Sequence, residues 1–260
     1  MVSVADMLLT LRRHWRHYLT EAAGLAVFVA VSGGAAVVFH HPVSAVARAL
    51  GPQWVQRIGL GVVMGALVAA LSYSPWGRRS GAHLNPAVTL GFWQLGHVQT
   101  VDALWYGLAQ FSGALAASAA MARLLGPWFG HSLIHYNTTR PLAGPHGWAV
   151  ALVAETVISA LLMLALLVAL HSARLKKWAG ALVGALLAVF IVVEAPLSGM
   201  SLNPARTLGT AVAAGQAPAL WLYFVGPLVG MWGTAWGYGR YRRHRYPAAR
   251  PPQYPEPDPG

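Results

Sequence analysis

One twelve-residue stretch occurs twice in this chain, and it limits the possible folds more than any other feature. Ser80-Gly81-Ala82-His83-Leu84-Asn85-Pro86-Ala87-Val88-Thr89-Leu90-Gly91 returns as Ser198-Gly199-Met200-Ser201-Leu202-Asn203-Pro204-Ala205-Arg206-Thr207-Leu208-Gly209, with differences only at 82/200, 83/201 and 88/206. In each copy a turn-rich lead-in ends in Asn-Pro-Ala, which opens a short apolar stretch, about 86–95 in the first and 204–213 in the second. Asparagine before a helix and proline at its first position are good helix-start chemistry. A helix that short crosses only about half of a ~30 Å hydrocarbon core. Non-helical backbone at that depth survives only inside protein or against an aqueous cavity. Two half-spans therefore point to a pore.

The rest of the sequence supplies the membrane. Of the 260 residues, 56% are hydrophobic and only 10% charged, against roughly 25% charged in a soluble domain. Six stretches are long and apolar enough to span: roughly 19–39, 57–74, 103–125, 148–170, 178–196 and 218–239. The first starts near Leu19 without a small-residue cleavage site and reads as a retained helix rather than a signal peptide. The formal charge of +11 would suggest nucleic acid in a soluble chain. Here the basic residues cluster between apolar runs, which reports orientation instead. With six spans, 13 of the 18 Lys and Arg fall on the side of the termini and the 74–84 and 171–177 loops, so both termini are expected in the cytoplasm. No cysteine is present, which excludes thiolate chemistry and disulfides.

The expected organisation is a cytoplasmic N-terminal segment 1–18, a channel domain 19–240 and a basic, proline-rich, disordered cytoplasmic tail 241–260. The channel domain divides into repeats 19–125 and 148–239. Thr20-Glu21-Ala22 opens the first span, and Ala154-Glu155-Thr156 lies early in the fourth. Three spans per repeat is an odd number, so the second copy must run in the opposite direction through the membrane. Inverted repeats with paired broken helices place a site near the midplane.

With a glutamate in the first and fourth spans, Gly-Ala-His-Leu-Asn-Pro-Ala-Val-Thr and Leu-Asn-Pro-Ala-Arg-Thr, the chain resembles the aquaporin (major intrinsic protein) family, in its bacterial form, over about residues 18–240. The resemblance implies an all-α polytopic membrane protein with six transmembrane helices and two half-membrane helices. It further implies a passive channel for water, with small uncharged solutes (glycerol, urea or ammonia) as further permeants and ions and protons excluded. A homotetramer with one pore per subunit, in the plasma (inner) membrane, is expected. No enzyme chemistry, metal or cofactor is expected.

Carried onto these residues, Asn85, Pro86, Ala87, Asn203, Pro204 and Ala205 form the pore motifs, each asparagine capping a helix and offering spare donors to the lumen. Glu21 and Glu155 are structural acceptors for the loops entering the half-helices. Arg206 is the constriction arginine, with Ile191 and Met200 as further walls, where water-specialised members place a histidine at the first. The remaining wall is Met64 if Met64-Gly65 matches the family's Phe-Gly pair, which requires one extra residue in the Pro75–Arg79 loop. An ungapped count gives Gly65. His83 either faces the lumen or orders its loop. Glu194, without a counterpart in the second span, either lines the outer mouth or caps a neighbouring loop. Twenty residues separate Arg206 from Gly226, the short spacing of aquaporins. Thr207 and Ala211 replace the facilitators' aspartate and lysine, and Tyr223-Phe224 is the aquaporin aromatic pair. The scaffold is thus aquaporin-like with a filter not built for water alone. Small residues four apart (Gly61/Gly65, Ala109/Gly113/Ala117, Gly180/Gly184/Ala188, Gly233/Gly237) allow close helix contact within or between protomers.

Three rivals remain on the sequence. A glycerol-type facilitator with minor water flow differs only in the filter. A secondary transporter shares inverted repeats but usually adds intramembrane charges for ion coupling. A membrane enzyme would need a metal or nucleophile. His131 and His135, four apart, and His40-His41 on the same side are the nearest candidates, but no matching carboxylate stands beside them.

Overall fold

The computed structural model describes residues 3–245. Eight helices carry the fold: α1 (Val4–His40), α2 (Gln53–Tyr73), α3 (Pro86–Gln94), α4 (Thr100–Leu125), α5 (Gly147–Leu170), α6 (Ala179–Val193), α7 (Pro204–Ala214) and α8 (Leu222–Arg245). Short helical turns sit in the connections, at Ala45–Leu50, Pro75–Ser80, Pro127–Gly130 and Ala195–Ser198. The six long helices and two half-helices match the expected all-α membrane architecture. Among the described helices, α1, α2, α4, α5 and α6 with its preceding turn (Lys176–Val193) are long and apolar enough to cross a bilayer. The 24-residue α8 falls short on composition, being rich in glycine, tryptophan and tyrosine, yet it packs along α5 as α4 packs along α1.

Two sequence boundaries shift. The segment 1–18 is not separate from the first span, because α1 begins at Val4 and runs unbroken for 37 residues, about 55 Å at 1.5 Å per residue. Its start is set by a capping box in which Ser3 Oγ accepts from the Asp6 N–H and the Asp6 carboxylate accepts from the Ser3 N–H. At the other end, α8 continues through Arg245, so 241–245 are helical. The remainder of the proposed disordered tail lies outside the described residues.

The repeats interlock. Half-helix α3 packs on α8 of the other repeat, and α7 packs on α4. The two repeats also meet along α2 and α6, where Gly61 lies against the Ala188 backbone, and Gly65 and Gly184 each face the other's carbonyl. No side chain fits there, which explains those glycines. Gly113 likewise lies against the Ala22 carbonyl and Gly230 against that of Thr156. These contacts are within one protomer, whereas Gly233 and Gly237 face open space. Exposed tryptophans ring both ends of the bundle, with Trp15, Trp76, Trp178 and Trp236 at one and Trp54, Trp128, Trp148 and Trp221 at the other, as aromatic belts at membrane interfaces do. Arg16, Lys177 and Arg240 lie over Trp15, Trp178 and Trp236, all at the end bearing the basic clusters.

Candidate functional site

The two Asn-Pro-Ala segments meet in the middle of the molecule. Each asparagine is extended (φ −160° at Asn85, −139° at Asn203), and proline follows at the first helical position. Asn85 Oδ1 accepts from the Ala87 N–H at 2.9 Å, and Asn203 Oδ1 accepts from Ala205 and Arg206 at 3.1 and 3.2 Å. The amide nitrogens reach across the repeats: Asn85 Nδ2 donates to the Leu202 carbonyl and Asn203 Nδ2 to the Leu84 carbonyl, both at 2.7 Å. An amide nitrogen has two hydrogens, so each keeps one that no described residue accepts. The arrangement joins two helix N-termini, each equivalent to about half a positive charge, and leaves a spare donor at each.

The lead-in loops hold an unusual backbone. Gly81, Ala82 and Leu84 have positive φ (85°, 50°, 48°), and Gly199, Met200 and Leu202 repeat the pattern (82°, 53°, 57°). Left-handed non-glycine residues cost about 1–3 kcal/mol each and persist only when their surroundings over-determine them. Here the buried carboxylates do so. Glu21 Oε1 accepts from Ser80 Oγ and the His83 N–H (2.7 and 3.0 Å), and Oε2 accepts from the Leu84 N–H and Gln110 Nε2 (2.6 and 2.7 Å). Glu155 Oε1 accepts from Ser198 Oγ and the Ser201 N–H (2.6 and 2.7 Å), and Oε2 from the Leu202 N–H at 2.8 Å. Both glutamates have 0% exposure.

Sequence reasoning missed a layer behind these carboxylates. Tyr106 Oη donates to the Ser80 carbonyl and Tyr223 Oη to that of Ser198. Tyr223, read from the sequence only as half of an aromatic pair, is therefore a loop anchor. The duplicated serines were visible in the repeat and were the available signal. Gln110 had none, since the matching position four residues beyond Tyr223 is Pro227.

The other sequence candidates separate clearly. Met64, Ile191 and Met200 lie in one buried cluster, while Gly65 is occupied in the contact with Gly184. Arg206 is 7% exposed, its guanidinium makes no hydrogen bond to any described residue, and Nη1 is buried without a partner. Ile191 and Met200 are similarly covered, at 8% and 7%. His83 Nδ1 pairs with Thr89 Oγ1 at 3.1 Å and the ring stacks on Phe92, both on the first half-helix. Glu194 is 3% exposed, and its carboxylate faces Ser198 and the Met200 N–H at the entry to the second lead-in loop without closing a full hydrogen bond to either. His41 and His131 approach each other beside Trp128, but no group of three or more potential metal ligands occurs among the described residues.

Comparison with known proteins agrees with this architecture. Residues 9–238 match the family model of the major intrinsic proteins. Aquaporin NIP2-2 of Zea mays is 36% identical over 199 residues, 76% of this chain and 65% of that protein. Aquaporin NIP1-4 of Oryza sativa subsp. japonica is 40% identical over 185 residues, 71% of this chain and 65% of that protein. The chain thus matches just under two thirds of the length of these relatives. The X-ray structure of the aquaglyceroporin from Plasmodium falciparum superposes with a TM-score of 0.72 at 21% identity, covering 91% of this chain and all of that one, a likeness of fold. The family model spans nearly the whole chain and the relatives exceed a third in identity, so this chain belongs to the major intrinsic protein family.

Proposed function

We propose that this protein is a passive membrane channel that conducts water together with small uncharged solutes, and excludes protons and ions. The observation that carries the proposal is the pair of spare amide hydrogens on Asn85 and Asn203, set where two helix N-termini meet. A water molecule there accepts from both amides and turns its own hydrogens outward, away from each other. That orientation interrupts a proton wire, and the two positive helix ends oppose cations. The related proteins carry the name aquaporin, which supports the same reading.

Arg206, with a buried donor lacking any protein partner, acts as the hydrogen-bonding wall of the constriction. Met64, Ile191 and Met200 form its apolar side. A solute lays its carbon face on these three while its oxygen meets Arg206. The apolar wall favours admission of solutes such as glycerol, urea or ammonia over a water-only pore. The protein sits in the inner membrane with both termini cytoplasmic, as the basic clusters and the aromatic belts suggest, and assembles as a tetramer with a pore in each subunit.

Stopped-flow light scattering on proteoliposomes tests the proposal. An impermeant osmolyte should produce fast, protein-dependent shrinkage, and gradients of glycerol, urea and ammonia should each be scanned for re-swelling. Absence of fast shrinkage overturns the channel reading. Fast shrinkage without re-swelling for any solute confines the pore to water. Ile191→His should cut solute passage more than water passage.

A further inference from the structure

We propose that a cleft beside the outer end of α2 binds a phosphate-type oxyanion, either a free ion or the headgroup of an anionic lipid. The cleft has a volume of about 440 Å³ and lies between the α1–α2 connection, the start of α2, Leu133 and Ala195. Arg48, Arg57 and His40 line it, and no carboxylate among the described residues does. Arg57 Nε is buried without a hydrogen-bond partner among the described residues. A buried guanidinium N–H without an acceptor is costly, and an oxyanion is the ligand whose geometry the guanidinium fork matches.

The wall is built rather than incidental. Gln56 Nε2 donates to the Ala47 and Gly51 carbonyls at 3.2 and 2.9 Å, which fixes the amide and leaves Oε1 for His40 Nδ1 at 3.0 Å. An amide oxygen only accepts, so His40 carries a hydrogen on Nδ1 and keeps Nε2 for a further partner. Arg48 spends one donor on the Val43 carbonyl at 2.9 Å, which holds its guanidinium at the rim with its other N–H groups unspent. Trp54 and Ile58, flanking Arg57 on α2, are exposed. They place the cleft at the lipid interface, within reach of a headgroup.

Two measurements on the purified full-length protein separate the sources. Calorimetric titration of inorganic phosphate in neutral detergent, against chloride at matched ionic strength, reads the free ion. Native mass spectrometry after extraction from phosphatidylglycerol or phosphatidylcholine vesicles reads the headgroup. Selective binding is expected in at least one arm, weakened at least tenfold in Arg57→Gln and in Arg48→Gln. Arg48 is exposed on a connecting turn, so its variant keeps the test valid if Arg57→Gln folds poorly; circular dichroism melts establish which variants are folded. The proposal is overturned if neither phosphate nor phosphatidylglycerol is preferred over its control. It is equally overturned if a folded Arg48→Gln variant binds as the parent does. Binding is read here without any transport assay and neither arginine is among the proposed filter residues, so failure of the channel proposal leaves this test intact.

Discussion

Glu21 and Glu155 do the same work at opposite ends of the molecule with unequal support. Glu21 has four donors, including Gln110, whereas Glu155 has three, the place of Gln110 being taken by Pro227. In both, each carboxylate oxygen accepts one backbone N–H. A glutamine can replace only one of those acceptors and turns its NH₂ toward the other N–H. Glu21→Gln and Glu155→Gln should therefore each lose about 1–3 kcal/mol, seen as a lower unfolding midpoint in tryptophan fluorescence. The pH dependence of transport should not change; a changed profile in a folded variant means that the carboxylate titrates in function. Arg206 is the opposite case, a guanidinium that feels the Glu155 charge but donates no hydrogen bond to any described residue. Arg206→Val should admit cations before it slows water, read as faster collapse of a pH gradient in dye-loaded vesicles at near-normal shrinkage rates. The glutamates and Arg206 were legible because the repeat and the family pattern mark them. Glu194 was not, since nothing in the sequence says which way a side chain at a helix end turns.

At the scale of elements, the half-helices were readable to within a residue or so, because Asn-Pro fixes a helix start chemically. The first helix was not. Apolarity alone placed its beginning near Leu19, but helix continuity depends on backbone hydrogen bonding and the Ser3–Asp6 cap, which a hydropathy argument ignores. The glycine stripes were visible, while their partners were not, since spacing shows which faces are small and not what lies against them. Gly65 and Gly184 touch through backbone atoms. Gly65→Val should force α2 and α6 apart and cost about 1–3 kcal/mol, with reduced yield of folded protein. Gly233→Val, on a face open in the protomer, should leave the unfolding midpoint of the protomer unchanged. Equal destabilisation by both would contradict the packing described.

For the whole molecule, the expected topology puts the 171–177 connection inside and the 126–146 connection outside. The absence of cysteine makes this directly testable. Arg174→Cys should resist an impermeant maleimide in intact cells and Ala143→Cys should react, with the reverse pattern in inverted vesicles. The 126–146 connection is bound to the second half-helix by the Thr139–Thr207 hydrogen bond and to the turn after it by Arg140–Gln216, and it carries left-handed residues at His135, Tyr136 and Asn137. None of this was legible in the sequence, because a loop's path is set by partners distant along the chain. The sequence by itself determined the lipid environment, the six spans, the two half-spans and their inversion, since these follow from local apolarity, helix-start chemistry and the parity of three spans per repeat. Only the tertiary structure decided that Met64, Ile191 and Met200 share one buried cluster, that the asparagines bind each other's loops, and that tyrosines stand behind the glutamates. The first two depend on which surfaces meet when the repeats interlock, across more than a hundred positions, and the tyrosine contacts span about 25 positions within a repeat, so none leaves a trace in local spacing.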